Sequence, residues 1–454
     1  MSRIRTRRLT TIAAAVGVLA VAAPAAPAAA PGWSTPHTAS AVTTGTYAAA
    51  PNGQGVQLFA NGGVPQRTGQ LRAIRTDATQ GTAVGVNSGG PGFDRFGLSV
   101  NNSARLVAAW SMDLENATPV SVAAAIGSRT SLPRTAAVFA TGAIVDEVAT
   151  AIDDDGTAVV AWIQSPLGAT TASATTIQAA TLRSGQAPIV TTVATRAGAF
   201  VNDLGVGFDN DSHAVVTWAV APDENTGPGI IGVARGTGPG TFSPAVESTV
   251  EPTAPLVDLR TFVTGDGTLL LFWTNGASGG PTNVRYSQSA AGGAFAAPRT
   301  LIGSPAGSGR PAYAANAAGR AAVLFPVASG SGTSLRAILR NSSGTWGSAR
   351  QVGPSGARTI GLPSVGVDGR GRVVALWGDS SSSTAPRILA ARSSSSTNPL
   401  NTYNQVSQRS GDRRCTNPTL ALSSSGDGLG SWVCSTASSG SITGPRLARL
   451  TAPS

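Results

Sequence analysis

The sequence predicts an all-β propeller of four-stranded antiparallel blades, and three observations carry that prediction. The first is a phrase typified by Asp153-Asp154-Asp155-Gly156-Thr157-Ala158-Val159-Val160-Ala161-Trp162, a polar glycine turn running into a short apolar stretch closed by an aromatic residue. The second is its period: the closing aromatics Phe59, Trp110, Trp162, Trp218, Trp273, Phe325, Trp377 and Trp432 follow one another at intervals of 51 to 56 residues. The third is chemistry. Runs such as Ala214-Val215-Val216-Thr217 and Arg372-Val373-Val374-Ala375-Leu376 are short and rich in valine, which suits strands. A fixed period near fifty residues with several strands per unit is the mark of a propeller or a related repeat array.

Within each unit the elements read in a constant order. A first strand precedes the turn, as at 148–152, 204–208 and 364–367. Six residues before each aromatic stands Gly53, Ala104, Gly156, Ser212, Gly267, Gly319, Gly371 or Gly426, at a place where a tight turn calls for positive φ. The second strand ends on the aromatic. A third follows a polar loop, as at 177–182, 230–234, 335–339 and 388–391, and a fourth short strand is expected at the turns Gly240-Thr241-Phe242, Gly293-Ala294-Phe295 and Gly344-Thr345-Trp346. Eight units give eight blades; in the seven-bladed alternative the unit of Phe59 stands outside the ring. The last unit runs out after three strands, so the segment 38–44, which precedes the first unit, is expected to pair into the last blade and remove two open edges.

Composition is that of a folded β-protein, with 41% apolar and 12% charged residues among 454. The basic residues are all arginine, 32 of them against 22 acids. Residues 1–30 have the form of an export signal: Arg3, Arg5, Arg7 and Arg8, an apolar stretch at 12–22, and Ala28-Ala29-Ala30 as the cleavage site. The general secretory route is favoured over a twin-arginine one because Leu9-Thr10-Thr11 follows Arg7-Arg8. The reading is then a signal peptide at 1–30 and one propeller domain over 31–454, extracellular, monomeric and not inserted in a membrane. Trp33, next to the cleavage site, is expected outside the ordered fold. Arg75, Arg183, Arg235, Arg340 and Arg392 each end a third strand; spread around the repeat rather than clustered with aromatics, they read as a solvated rim, which excludes a nucleic-acid groove.

Cys415 and Cys434 flank the hairpin of the last unit, and a turn centred between Ser424 and Ser425 places them opposite one another, within disulfide reach. A bond there would clasp the blade that closes the ring.

The phrase around Trp162, the third strand ending in arginine and the glycine-aromatic turn resemble secreted actinobacterial propeller-repeat proteins, and more distantly sialidase-type propellers with aspartate boxes. The first resemblance implies a fold without an established activity. For the second, Ser342-Ser343-Gly344-Thr345-Trp346 lacks the aspartate of such a box, so no catalytic residue is carried over.

Chemistry-bearing residues gather near the starts of the first strands. Fifteen or sixteen positions before the aromatic lie Asp94, Asp146 with Glu147, Asp203 and Asp258, and the next unit has Arg310 there. Arg358, Arg413 and Arg414 fall slightly earlier in their units. This predicts an acidic arc on one half of the channel mouth faced by arginines on the other. Converging carboxylates could bind sugar hydroxyls, or a hard cation such as calcium, the one cofactor these groups could take. The aspartate-rich turns at Asp153 and Asp209 lack the distal carboxylate of a calcium loop, and read as turns held by local backbone bonds. Gly276-Ala277-Ser278-Gly279-Gly280 opens no helix and is not a nucleophile elbow. The landmark tryptophans read as packing between blades. The expected function is therefore non-enzymatic binding of a glycan, peptide or cell-surface component at the channel mouth, with a polysaccharide hydrolase or lyase acting through the rim carboxylates as the alternative.

Overall fold

The computed structural model describes residues 32–451 except 39–44, 51–53, 62–67, 87, 89–91, 115–116, 167–173, 222–226, 276–282, 304–309, 330–331, 354–358, 361, 381–385, 394–399, 401, 408–413 and 436–441. The export signal at 1–30 and the Ser278 motif lie outside the described residues, as do Arg358 and Arg413. Eight antiparallel sheets follow one another along the chain, each with its strands hydrogen-bonded largely in sequence order. Their innermost strands are Gly45–Ala49, Phe96–Val100, Ile144–Ile152, Phe200–Phe208, Leu256–Val263, Ala312–Ala315, Ser364–Val367 and Arg414–Leu422, and these begin blades I to VIII. It is an eight-bladed propeller. The unit of Phe59 is a complete blade, which removes the seven-bladed alternative.

Each landmark aromatic sits mid-strand on its second strand and faces the preceding blade. Trp218 lies among Val159, Ala161 and Ile177 of blade III, and Trp162 among Val107, Ala109 and Val122 of blade II. Stacking blade on blade in this way lets a long chain avoid a single oversized core. The turn before each second strand has the predicted backbone. At the described landmark positions φ is positive throughout, including the two that are not glycine, Ala104 at 57° and Ser212 at 59°. A β-carbon makes that conformation costly. Ala104→Gly and Ser212→Gly are therefore each expected to raise stability by about 1 kcal/mol in denaturant titrations.

Of the predicted fourth strands, Thr241–Phe242 forms a two-residue strand on the third strand of blade IV, and the other two are displaced. Gly240 and Gly344 have φ of 70° and 86°, so they form tight turns. Phe295 and Trp346 make only isolated bridges, to Ser289 and Arg340. The outer strands follow these turns, at Val246–Glu251, Arg299–Gly303 and Arg350–Val352. Of the arginines ending the third strands, Arg75 is exposed as expected, but Arg340 and Arg235 are placed differently from a solvated rim. Arg340 is buried, donating to the Gly319 carbonyl and, at 2.9 Å, to Gln288 of blade V. Arg235 donates to the Gly267 carbonyl of blade V at 2.9 Å. Periodic guanidinium groups are thus part of the stitching between blades.

Closure follows the predicted principle with a shifted segment. His37 and Thr38 pair with Leu447 and Arg446, so the fourth strand of blade VIII comes from the other end of the described chain. The pairing stretch begins well before 38: Trp33 bridges Leu450, and Ser34 donates its N–H to Arg449 at 2.8 Å. Trp33 is buried against blade VIII, contrary to the expectation that it would lie outside the fold, because the edge of the last blade needs both a strand and an apolar cover. Between blades VIII and I the ring is sealed by Ile74, Ala78, Leu429 and Leu447, and by Arg449 donating to the Thr76 carbonyl at 2.9 Å.

The disulfide forms as expected, with Cys415 and Cys434 directly opposite and 4.1 Å apart at Cα. Its register has a further cause. Near the turn, Leu422 faces Gly428 and Thr419 faces Ser431; a bulge between Thr416 and Thr419 then shifts the pairing by one. Without that extra residue Cys415 would face Ser435.

Candidate functional site

The same bulge shapes the mouth of the channel. In blade IV pairing skips from Asn202 to Gly205, and in blade V from Val257 to Arg260, leaving Asp203-Leu204 and Asp258-Leu259 opposite the landmark tryptophans. Blade VIII does the same at Asn417-Pro418. Asp203, Asp258 and Asn417 all have positive φ, between 51° and 54°, and Asp and Asn tolerate it better than other residues with side chains. A bulge turns a side chain away from the regular alternation. Here it sends each carboxylate along the ring to the next blade.

Glu147 accepts the Leu204 N–H at 2.9 Å, and Asp203 accepts the Leu259 N–H at 3.0 Å. Asp258 meets Arg310 at 3.4 Å, and Arg260 stands 3.9 Å from Asp203. Four predicted residues, Glu147, Asp203, Asp258 and Arg310, therefore form one line across blades III to VI. Two do not join it. Asp146 is itself the bulge residue, exposed and bonded to the Ser165 hydroxyl at 2.7 Å. Asp94 is exposed beside Arg95, at 3.7 Å. In blade II the place fifteen residues before the landmark belongs to Arg95, whose charge reaches Glu147. The carboxylates thus run in file instead of converging, because each is tied to the next blade, Glu147 and Asp203 to a backbone N–H and Asp258 to Arg310. Arg414 is exposed at the head of blade VIII's inner strand.

Burial pushes Glu147 above the usual carboxylate range, with the nearby Asp203 charge adding to it against the Leu204 N–H and the Arg260 and Arg95 charges. Burial also raises Asp203, opposed chiefly by the Leu259 N–H and Arg260. The line therefore carries two acids that hold a proton more readily than exposed ones, interleaved with Arg95, Arg260 and Arg310. Sequence reasoning missed Arg95, Arg260 and Tyr313. Tyr313 stacks on Phe272 with ring centres 5.4 Å apart, and its hydroxyl is buried with no hydrogen-bond partner among the described residues. Burial and the Asp258 charge push its phenol up. Only the fifteen-residue offset could have flagged Arg95; nothing in the sequence points to Tyr313.

At the opposite end of the inner strands, the aspartate turns are built by local bonds. Asp209 accepts the N–H groups of Asp211 and His213 at 3.0 and 2.8 Å, and its second oxygen lies 3.3 Å from the His213 ring. Asp153 accepts from Gly156 and Thr157 through Oδ1, while no donor among the described residues reaches its buried Oδ2. Asp153 is pushed up to about 6, first by burial and then by Asp155, which the same contact pulls down to about 2. An acid raised on folding stabilises the fold below its unfolded value of about 4, and that contribution is lost as pH rises through about 6. Asp155 contributes in the other sense, above about pH 4, and loses its share as pH falls toward 2. Asn101 and Asn316 hold the equivalent place and donate to the next blade's Asp153 and Asp368 carbonyls, both at 2.7 Å. Asp153→Asn should therefore flatten the stability profile between about pH 4 and 6 and add about 1–2 kcal/mol at pH 7, read from melts across pH.

No protein-family model matches this chain, and neither does any curated protein. Among solved structures, the polysaccharide lyase Uly1 is similar at a TM-score of 0.47 and 6% identity, over 92% of this chain and 90% of that one. A puromycin hydrolase is similar at a TM-score of 0.48 and 14% identity, over 87% of this chain and 59% of that one. A Hadza microbial sialidase is similar at 0.37 and 12%, over 68% and 71%. Several further similar structures are also polysaccharide-active enzymes, an arabinanase and an ulvan lyase among them. At these identities the likeness is one of fold, and the chemistry has to be read from this chain's own residues.

Proposed function

We propose that this protein works outside the cell, where its disulfide would persist, and binds a polysaccharide across the channel mouth without cleaving it. One observation carries the reading: three carboxylates in adjacent blades, Glu147, Asp203 and Asp258, run in a file flanked by Arg95 and Arg310, with Arg260 beside Asp203. Such a file offers acceptors and donors at blade spacing, as a chain of hydroxyl-bearing rings requires. Anchoring Glu147 and Asp203 by a backbone N–H, and Asp258 by Arg310, orders these carboxylates before the ligand arrives, which lowers the cost of ordering on binding. A second reading, cleavage of the same polymer, draws on the raised Glu147 and Asp203, since a glycosidase needs a carboxyl that keeps its proton.

A glycan array on the purified protein, followed by assays for reducing ends and unsaturated products, tests both. Retention of a polysaccharide that falls with Asp203→Asn, with no product formed, is the expected result. Product formation lost in Glu147→Gln or Asp203→Asn would replace binding with catalysis. Failure to retain any polysaccharide would end both readings.

A further inference from the structure

The interface that closes the ring is packed unlike the others. Gly55, Gln57 and Phe59 share one face of their strand by alternation, and Gly55 abuts Leu429 of blade VIII. Phe59 thus stands where the other blades have a tryptophan, blade VI with Phe325 excepted. Around it runs a buried polar network instead of further apolar packing. Gln57, fully buried, donates to the Tyr47 hydroxyl at 3.0 Å and accepts from Gln80 at 2.9 Å, and Arg72 donates to Gln80 at 2.6 Å. Beside this network lies a cavity of about 280 Å³, lined mostly by blade VIII, with Thr46 and Tyr47 of blade I and Ser364 of blade VII.

Its lining holds no charged side chain. Thr46, Tyr47, Thr419 and Ser431 present hydroxyls, Asn417 an amide, and Val433 an apolar wall. Thr419 and Ser431 bond each other at 2.6 Å. Tyr47, already accepting from Gln57, keeps its proton to donate, since burial pushes it up to about 12. Asn417 and Thr419 are exposed, so the space opens toward the channel. Asn417 also occupies the ring position that Glu147, Asp203 and Asp258 hold in their own blades, across the mouth from the acidic file.

We propose that this seam cavity is a subsite for one neutral, unsubstituted sugar ring of the polysaccharide. The inference rests on the reading above and adds a second, chemically distinct place to it. Size limits the occupant, because the volume is just under the roughly 300 Å³ at which drug-sized sites begin. Chemistry selects it, because hydroxyls and an amide can pair with sugar hydroxyls, whereas a uronate or sulfate would lose its water with no charged side chain in the lining to replace it.

Saturation-transfer NMR with methyl glucoside, methyl galactoside and methyl glucuronide tests the assignment on the intact protein. At least one neutral glycoside should bind, with the glucuronide about tenfold weaker or undetected. Asn417→Gly keeps the positive φ and removes the amide; Thr419→Val keeps the shape and removes the hydroxyl. Each should weaken the neutral glycoside by about fivefold or more, with circular dichroism unchanged. A cavity filled only by water, with no saturation transfer from either neutral glycoside, overturns the proposal, as does unaltered affinity in both folded seam variants. Polysaccharide retention that persists while the seam stays empty would sink the subsite and leave the mouth standing. Glycoside binding at the seam beside a blank array would do the reverse.

Discussion

Trp218→Ala is expected to cost about 3–5 kcal/mol of stability, among the largest effects of any single substitution in the chain. Its side chain is fully buried. It fills the interface between blades III and IV together with Val193 and Val201, and the indole is admitted only because Gly232 opposite it has no side chain. Removing the ring leaves a void bounded by two rigid sheets, and such walls relax poorly. Denaturant titration should show the loss, while the folded fraction retains whatever polysaccharide the wild type retains. An unchanged midpoint would mean that blade contacts depend little on the landmark residue. The equivalent change at Phe59 should cost less, since the seam is already loosely filled.

Breaking the Cys415–Cys434 bond should cost about 3 kcal/mol, the second large effect. The bond closes a loop spanning 19 residues of separation. It lies in the blade whose outer strand is a short stretch from the opposite end of the described chain, next to a seam sealed by only a handful of apolar residues. The paired replacement by serine should lower the denaturation midpoint, and hydrogen exchange should quicken first in blade VIII. Uniform acceleration in every blade would instead show that the ring opens as a single unit.

Much of the architecture could be read directly from spacing. The eight landmarks, the positive φ six residues before each from Trp110 onward, and the four-strand blade all follow from a repeat whose turn chemistry and strand chemistry agree. What resisted reading was local backbone irregularity. Alternation alone would point Asp203 and Asp258 across the channel; the bulges before Gly205 and Arg260 turn them along it. The arginines ending the third strands look solvated because partners such as the Gly267 and Gly319 carbonyls are backbone atoms, which leave no trace in composition. Trp33 looked peripheral because pairing across more than four hundred residues has no periodic signature.

That long-range pairing also orders events in time. His37 and Thr38 emerge from the ribosome long before Leu447 and Arg446 exist, so this stretch must wait for its partner while the sheets between them assemble. The circle can lock only once residues 446 and 447 have been made. A nascent chain stalled near residue 400 should remain an open arc, with its first strand free for a chaperone or a protease to take.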